Sequence, residues 1–359
     1  MNMIIASDLH MTDAPRDAYR LQFFPWLAAE AIRRRANYII ILGDLTEAKD
    51  RHSAVLSNAI ADGLKQLDTA APTIVLMGNH DYISPETPFF RWLQYTGVEY
   101  FIEPTKRTLG DAKCLFLPHT RAVRAYAEGY RMSDFDYIFA HQTFHGASIG
   151  GGRRLDGLPS DTFTGTRARV YCGDVHVPQR LANIEYVGAP YHVDFGDEYI
   201  PRVIFDDGQR FEDVSPPFPA KRKMIIDGVD HLTDMRVNPG DMIKIEVRLK
   251  RQEFDTWNEC RRRVQEFAER QRAVLCGCRL VERDVHRLSQ LDLAARRLPP
   301  GDLFEHFCAS NGEQINEEMK AAGLECLVAR RDDIRNTTDS AAQPPRRELQ
   351  RRRLGTVSG

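Results

Sequence analysis

The sequence has few of the features that mark secreted or membrane-spanning proteins. Its 359 residues contain seven cysteines, an odd number, and the N-terminal apolar stretch meets Asp8 too soon to be a signal peptide. No apolar run approaches the roughly 18 residues of a membrane span. The formal net charge of -2 favours no particular class of partner. These absences argue against a disulfide framework and predict reduced thiols, no membrane association and a cytoplasmic location.

The order of apolar patterns predicts an α/β fold of about two domains. Residues 1–110 alternate strands with two helical stretches, Asp17 to Arg35 and His52 to Leu67, and short strands dominate from Lys113 onward. Strands that alternate with helices, followed by a strand-rich half, indicate a layered sandwich with a mixed sheet. Residues 142–168 are rich in Gly, Ser, Thr and Arg and are predicted to form a long loop.

A domain boundary is predicted at the proline-rich stretch 215–219. Beyond it, residues 241–249 alternate strictly between apolar and polar, 255–270 have helical spacing, and 273–281 resemble another strand. We therefore expect four segments: a main domain over 1–215, a small α+β domain over 216–286, helices over 287–330, and a disordered Arg-rich tail over 331–359.

A side chain that could bind a metal follows each of five apolar strands. Because sites in open α/β sheets form outside the carboxyl ends of strands, these side chains are expected to meet. The candidate ligands are Asp8, His10, Asp44, Asn79, His141, Asp174 and His176. Oxygen and imidazole donors without Cys favour a harder divalent ion, Mn²⁺ first and Mg²⁺ second, over structural zinc. Two such ions about 3.5–4 Å apart can activate water and stabilise a phosphate.

Asp-x-His and Gly-Asp are weak alone, since a single His beside an apolar run is usually a hydrogen-bonded structural residue, and Gly-Asn-His-Asp is a stronger signal. The five together, in order, favour the metal site. His80 remains as a residue that could donate a proton, and His119, His145 and His192 could line the cleft. Cys276 and Cys278 are interpreted as part of a strand rather than as metal ligands.

In this order, Asp-x-His, Gly-Asp, Gly-Asn-His-Asp, His and Gly-x-x-His resemble the pattern of calcineurin-like metallophosphoesterases. The segments 141–148, 171–176, 184–190 and 194–195 are similar to those of SbcD-type DNA double-strand-break repair nucleases from bacteria and phages. The resemblance implies a layered αββα sandwich over residues 1–215, a capping domain over 216–286, and a bacterial or phage-infected cytoplasm.

The resemblance also implies two ligand sets and a role for His80 on the phosphate. One ion would be held by Asp8, His10, Asp44 and His176, and the other by Asp44, Asn79, His141 and Asp174. Two positions depart from the family pattern. Asp174 stands where the family usually has a His, and Glu47 stands where the SbcD-type nucleases commonly have one. The first departure changes the charge of the site, and the second removes a candidate catalytic His.

The leading hypothesis is a two-metal DNA exo- or endonuclease that works with an SbcC-type ATPase, which residues 287–330 would bind. One alternative is a small-molecule or cyclic-nucleotide phosphodiesterase on the same fold, and another is a scaffold without catalysis. The domain beyond Pro219 separates nuclease from phosphodiesterase, because a lone phosphodiesterase needs no such addition. The protein-phosphatase branch is disfavoured, since residues 43–50 do not match Gly-Asp-x-x-Asp-Arg-Gly. Homodimerisation is left open.

Overall fold

The structure is a computed structural model that describes residues 1–84, 86–122 and 126–283. Three α-helices occur within these residues: α1 (Phe23–Arg34), α2 (Ala54–Ala70) and α3 (Trp257–Gln271). The strands that the same residues form are β1 (Met3–Ala6), β2 (Tyr38–Ile41), β3 (Thr73–Leu76), β4 (Glu99–Phe101), β5 (Thr105–Leu109), β6 (Ala112–Leu117), β7 (Tyr137–His141), β8 (Arg169–Gly173), β9 (Gln179–Leu181), β10 (Ile184–Tyr186), β11 (Val203–Asp206), β12 (Phe211–Val214), β13 (Lys221–Asp227), β14 (Met242–Leu249) and β15 (Val274–Glu282). Short 3-10 helices cover Pro15–Gln22, Phe89–Tyr95, Met132–Asp134, Val229–Thr233 and Arg251–Thr256.

Two six-stranded mixed sheets form the main body. The first has the order β12-β11-β1-β2-β3-β4, and β1 to β4 are parallel. The second has the order β5-β6-β7-β8-β10-β9, and its four central strands are parallel. Parallel strands end at one edge of each sheet. The predicted α/β class and mixed sheet are confirmed.

The two sheets pack face to face because their central strands carry apolar residues on the sides that face each other. Ile5 and Ile40 of the first sheet lie in one buried cluster with Phe116 and Phe139 of the second. On the outer face of the first sheet lies a second cluster, which includes residues of α1 and α2. Gly63 of α2 allows the close helix contact, since an added Cβ would lie 2.3 Å from the Phe24 ring.

The outer face of the second sheet is covered differently from the helical layer that the resemblance implied. In the described residues this layer comes largely from the long loop predicted over 142–168, whose Phe144 and Phe163 are completely buried, and Tyr126 and Phe135 of the segment before β7 add to it. The sandwich is therefore helical on one side and largely loop on the other. The loop leaves the carboxyl end of β7 and leads to the amino end of β8, and Thr143 near its start donates a hydrogen bond to Asp174, just beyond the carboxyl end of β8.

A smaller three-stranded sheet has the order β13-β14-β15, and α3 contributes Val264 and Phe267 to its core. The strand, helix and strand predicted beyond residue 240 are observed as β14, α3 and β15. Strand β13 was not predicted from the sequence. The predicted helices of 287–330 and the tail of 331–359 lie outside the described residues, and the four-segment division stays a prediction. No helix in the described part of the chain is long and apolar enough to cross a membrane.

Candidate metal centre

Five strand ends from the two large sheets meet at one edge of the sandwich. Glycines allow this approach, because a side chain at their positions would collide with the neighbouring strand end. A Cβ on Gly78 would lie 2.2 Å from Asp44 Oδ1, and one on Gly173 would lie 2.7 Å from the Leu42 carbonyl oxygen. A side chain at Gly78 or Gly173 would therefore prevent the strand ends from packing this closely.

Four of the candidate ligands have backbone conformations that side chains rarely adopt. Their φ angles are positive: 55° at Asp8, 41° at His10, 55° at Asp44 and 83° at Asp174. Such residues cost on the order of 1–3 kcal/mol each and persist only where the surroundings hold them. Here backbone bonds hold them: Asp8 N donates to Gly43 O at 3.2 Å, and His10 N donates to Asp44 O at 2.9 Å. Strain concentrated at the strand ends is typical of a functional site.

Asp44 lies between two histidines from different strand ends. Its Oδ2 is 3.4 Å from His10 Nε2, and its Oδ1 is 3.5 Å from His141 Nε2. The side chain is 2% exposed. Because each carboxylate oxygen faces a different histidine, Asp44 has the geometry of a group that bridges two ions.

The other predicted ligands surround these two histidines. His176 Nε2 lies 3.0 Å from His10 Nε2. On the other side, Asn79 Oδ1 is 3.2 Å and Asp174 Oδ1 is 3.7 Å from His141 Nε2. The structure thus places all seven predicted ligands close to one another, and their division between two ions stays a prediction. Within the described residues, three overlapping sets have donor atoms within 4.8 Å of one another: Asp8, His10 and His176; His10, Asp44 and His80; and Asp8, Asp44 and His141.

The unpaired atoms of the site fit a bound cation. Asp8 Oδ2 is buried and has no hydrogen-bond partner in the described residues, although burying an unpaired polar atom costs free energy. Two imidazole nitrogens 3.0 Å apart, those of His10 and His176, need a proton or a cation between them. Carboxylate, imidazole and amide donors suit a divalent ion such as Mn²⁺ or Mg²⁺.

The charges of the site shift the pKa values of its groups in opposite directions. Burial, followed by the neighbouring His176, lowers the pKa of His10 to about 4 despite the adjacent carboxylates. Burial also opposes the charge of His141, but Asp44 and Asp174 outweigh it and raise the pKa of His141 to about 9. Burial raises the pKa of Asp44, and His141 only partly offsets this effect. The cluster is an electrostatically costly arrangement that a divalent cation would relieve.

Asp81 is a positioning residue that the sequence analysis quoted within Gly-Asn-His-Asp but gave no role. Its completely buried carboxylate accepts hydrogen bonds from the backbone N–H groups of Gly78 at 2.7 Å, Asp44 at 2.9 Å and Leu45 at 2.9 Å. It therefore ties the end of β3 to the end of β2. In the sequence, only its position as the last residue of Gly-Asn-His-Asp indicated a role for Asp81 in the site.

His80 lies beside the site with its backbone fixed. Its N–H donates to Asp44 Oδ1 at 2.8 Å, and its Nδ1 lies 2.7 Å from the carbonyl oxygen of Glu47. A carbonyl only accepts, so His80 carries its proton on Nδ1 at this contact and leaves Nε2 available. Its ring centroid is 4.8 Å from that of His10. The position is compatible with the predicted role on a phosphate.

The three histidines predicted as cleft-lining residues lie in different places. His119 is next to the site: its ring centroid is 6.1 Å from that of His141, and Tyr82 Oη lies 2.6 Å from its Nδ1. Burial, then the neighbouring His141, lowers the pKa of His119 to about 3.

The remaining two histidines have partners outside the ligand cluster. His145 is 68% exposed and its Nδ1 lies 2.9 Å from an Asp156 oxygen. His192 Nδ1 accepts a hydrogen bond from Lys221 N at 3.1 Å, at the start of β13. The contacts within the described residues therefore associate only His119 with the candidate centre. His192 instead joins the main body to the three-stranded sheet.

Residues 1–178 match the family model of the calcineurin-like phosphoesterases. This part of the chain belongs to the calcineurin-like phosphoesterase family. The matched stretch contains all seven candidate ligands together with His80. The family assignment agrees with the observed sandwich of two mixed sheets.

Two viral proteins are similar to this chain at low identity. "Putative phosphoesterase 078R" of Invertebrate iridescent virus 3 is 25% identical over 177 residues, which cover 46% of this chain and 50% of the relative. "Putative phosphoesterase 244L" of Invertebrate iridescent virus 6 is 27% identical over 206 residues, or 52% of this chain and 69% of the relative. The chain thus spans half the length of the first relative.

Among solved structures, a protein of unknown function from Aquifex aeolicus is 17% identical to this chain over the matched part. The similarity covers 42% of this chain and 81% of the other, with a TM-score of 0.27.

Proposed function

We propose that the protein is a divalent-metal-dependent DNA nuclease, the SbcD-type subunit of a recombination and repair complex. The hydrolysis of phosphodiester bonds by a two-metal centre is the core of this proposal. The observation that carries it is the position of Asp44, whose two carboxylate oxygens each face a different histidine of the ligand cluster. That arrangement supports two adjacent cation sites with one shared ligand.

Each ligand has a defined task in the proposed centre. The first ion would be held by Asp8, His10, Asp44 and His176, and the second by Asp44, Asn79, His141 and Asp174. Bound divalent ions would supply Lewis-acid chemistry, which lowers the pKa of a water and neutralises phosphate charge. The rigid backbone at the strand ends holds the ligands before the substrate arrives, because Asp81 and the inter-strand hydrogen bonds fix it.

His80 is proposed to act on the substrate phosphate as an acid or as a charge stabiliser. With Nδ1 committed to the Glu47 carbonyl oxygen, Nε2 is the nitrogen that can contact the substrate. His80 is half-buried, so it can meet a ligand from outside while its backbone stays bonded to Asp44.

DNA is the proposed substrate for two reasons. Segments 141–148, 171–176, 184–190 and 194–195 resemble the SbcD-type nucleases, and a three-stranded sheet with its helix follows the region that matches the phosphoesterase family. The ATPase partner is proposed from the sequence of residues 287–330, which lie outside the described residues. There, apolar residues fall on one side of a predicted helix: Leu303, Phe304, Phe307 and Cys308.

The proposal is tested with purified full-length protein on linear duplex DNA, single-stranded DNA and bis-p-nitrophenyl phosphate. Each substrate is incubated with Mn²⁺, with Mg²⁺ or with EDTA, and Asp44→Ala protein is the matched control. We expect Mn²⁺-dependent cleavage of DNA that EDTA and Asp44→Ala both abolish. Cleavage of the small diester with no action on either DNA would instead support the alternative, a small-molecule phosphodiesterase.

A further inference from the structure

Glu47 contacts two histidines of the candidate centre and uses a different oxygen for each. Its side-chain Oε2 lies 2.8 Å from His10 Nδ1, while its main-chain oxygen lies 2.7 Å from His80 Nδ1. The main chain of Glu47 is itself held, since its N–H donates to Met11 O at 3.1 Å. Carboxylate and carbonyl oxygens only accept, so both histidines are expected to carry their proton on Nδ1.

We propose that Glu47 is a positioning residue whose carboxylate holds His10 in the Nδ1–H tautomer. This inference rests on the proposed two-metal function. With its proton on Nδ1 beside Glu47, His10 has an unprotonated Nε2 that faces Asp44 Oδ2 at 3.4 Å and His176 Nε2 at 3.0 Å. Metal-binding histidines commonly donate their second N–H to a carboxylate, which fixes the ring and strengthens the ligand.

The surroundings of the two groups distinguish this contact from an ordinary surface ion pair. His10 is 2% exposed, and its buried Nδ1 has no hydrogen bond of good geometry within the described residues, so Glu47 Oε2 at 2.8 Å is the acceptor placed to receive its proton. Glu47 is 53% exposed, so it can turn toward solvent at little cost, whereas His10 cannot. Loss of the contact should therefore change the protonated nitrogen of His10, while Glu47 can exchange it for contact with solvent.

The geometry also separates the effects on the two histidines. The side chain of Glu47 contacts His10, whereas its hydrogen-bond contact with His80 is made by the main chain. Replacing the side chain should therefore change the tautomer of His10 while the tautomer of His80 stays the same. A merely structural role for Glu47 would not produce this selective change.

The test uses full-length protein labelled with ¹⁵N-histidine and freed of metal with EDTA, studied by long-range ¹H–¹⁵N NMR. The signal of His10 is assigned by its loss in His10→Gln protein. We expect the Nδ1–H form of His10 in the wild type, a shift toward Nε2–H in Glu47→Ala, and recovery in Glu47→Gln, whose amide oxygen can accept. Glu269→Gln, on the exposed face of α3, is the control.

Titration of the same samples with Mn²⁺ provides the second readout. Glu47→Ala should bind Mn²⁺ roughly 10–100-fold more weakly, the usual effect of losing such a partner, with the same number of ions at saturation. An unchanged tautomer and affinity would overturn the inference, and a lost ion would too, because Glu47 would then be a ligand.

If Glu47→Ala does not fold, Glu47→Met replaces it with a side chain of similar length that accepts no hydrogen bond. Neither readout depends on hydrolysis. An absence of nuclease activity in the wild type would therefore refute the proposed function while the role of Glu47 could still be decided.

Discussion

The buried carboxylate of Asp81 accepts a hydrogen bond from the backbone N–H of Asp44 at 2.9 Å. Two further backbone N–H groups share this carboxylate, so one side chain fixes the strand ends that carry Asp44 and Asn79. The central ligand of the site thus depends on a residue that is not itself among the predicted ligands.

Replacement of Asp81 should lower stability and metal affinity together. Asp81→Ala leaves three buried N–H groups without their acceptor, and each such loss costs about 1–3 kcal/mol. We expect a lower midpoint in thermal denaturation and weaker Mn²⁺ binding by calorimetry. Asp207→Ala, at an exposed turn of the same domain, is the control. A variant with wild-type stability and affinity would contradict the positioning role.

His80→Ala should separate catalysis from metal binding. If His80 acts on the phosphate, its loss should reduce kcat by roughly 10²–10⁴, the usual effect of a missing acid–base group. The number of bound Mn²⁺ ions should not change. Since the donor atoms of His80, His10 and Asp44 lie within 4.8 Å of one another, a lost ion would instead identify His80 as a ligand.

Asp174 is predicted to be a ligand of the second ion. Asp174→Ala should weaken the binding of one ion selectively, and Asp174→His should restore activity with a different metal preference. The alternative is a carboxylate that orients His176. In the structure its Oδ1 lies 3.7 Å from His141 Nε2, and Thr143 donates a hydrogen bond to its Oδ2. An unchanged Mn²⁺ stoichiometry in Asp174→Ala would argue against direct ligation.

The stability of the metal-free protein should fall as the pH rises from about 6.5 to 9. His141 has a pKa raised from 6.5 to about 9, so its charged form stabilises the fold below pH 6.5. That contribution is lost as the pH rises through 9. The check is thermal denaturation in EDTA across this range. With saturating Mn²⁺ the decline should be smaller, because metal binding releases the His141 proton. A melting temperature in EDTA that rises over this range would refute the sign of the effect.

The proximity of the candidate ligands could be predicted from the sequence more fully than the body around them. The candidate ligands follow strands whose apolar runs are short and bounded, so their meeting at one edge follows from parallel topology. Helix α2 was also predictable, because Leu56, Ile60 and Leu64 repeat at helical spacing and all three are buried.

Other features depend on tertiary contacts that spacing does not encode. Strand β13 was not predicted because a lysine, Lys221, occupies a buried position in it, so apolar and polar residues do not alternate clearly in the sequence. Lys221 is buried and forms an ion pair with Asp17 at 2.8 Å. The burial of Phe144 and Phe163 within a glycine-rich stretch could not be expected from its polar composition. The role of Asp81 depends on the contact between two strand ends far apart in the chain.

The most direct test of the two-metal centre is an anomalous diffraction map from crystals of the full-length protein soaked in Mn²⁺. The structure predicts two peaks about 3.5–4 Å apart, with one oxygen of Asp44 on each ion. His10 and His176 should contact the first ion, and His141 and Asn79 the second. A single peak, or two peaks that Asp44 does not join, would contradict the bridged centre on which the proposed nuclease activity depends.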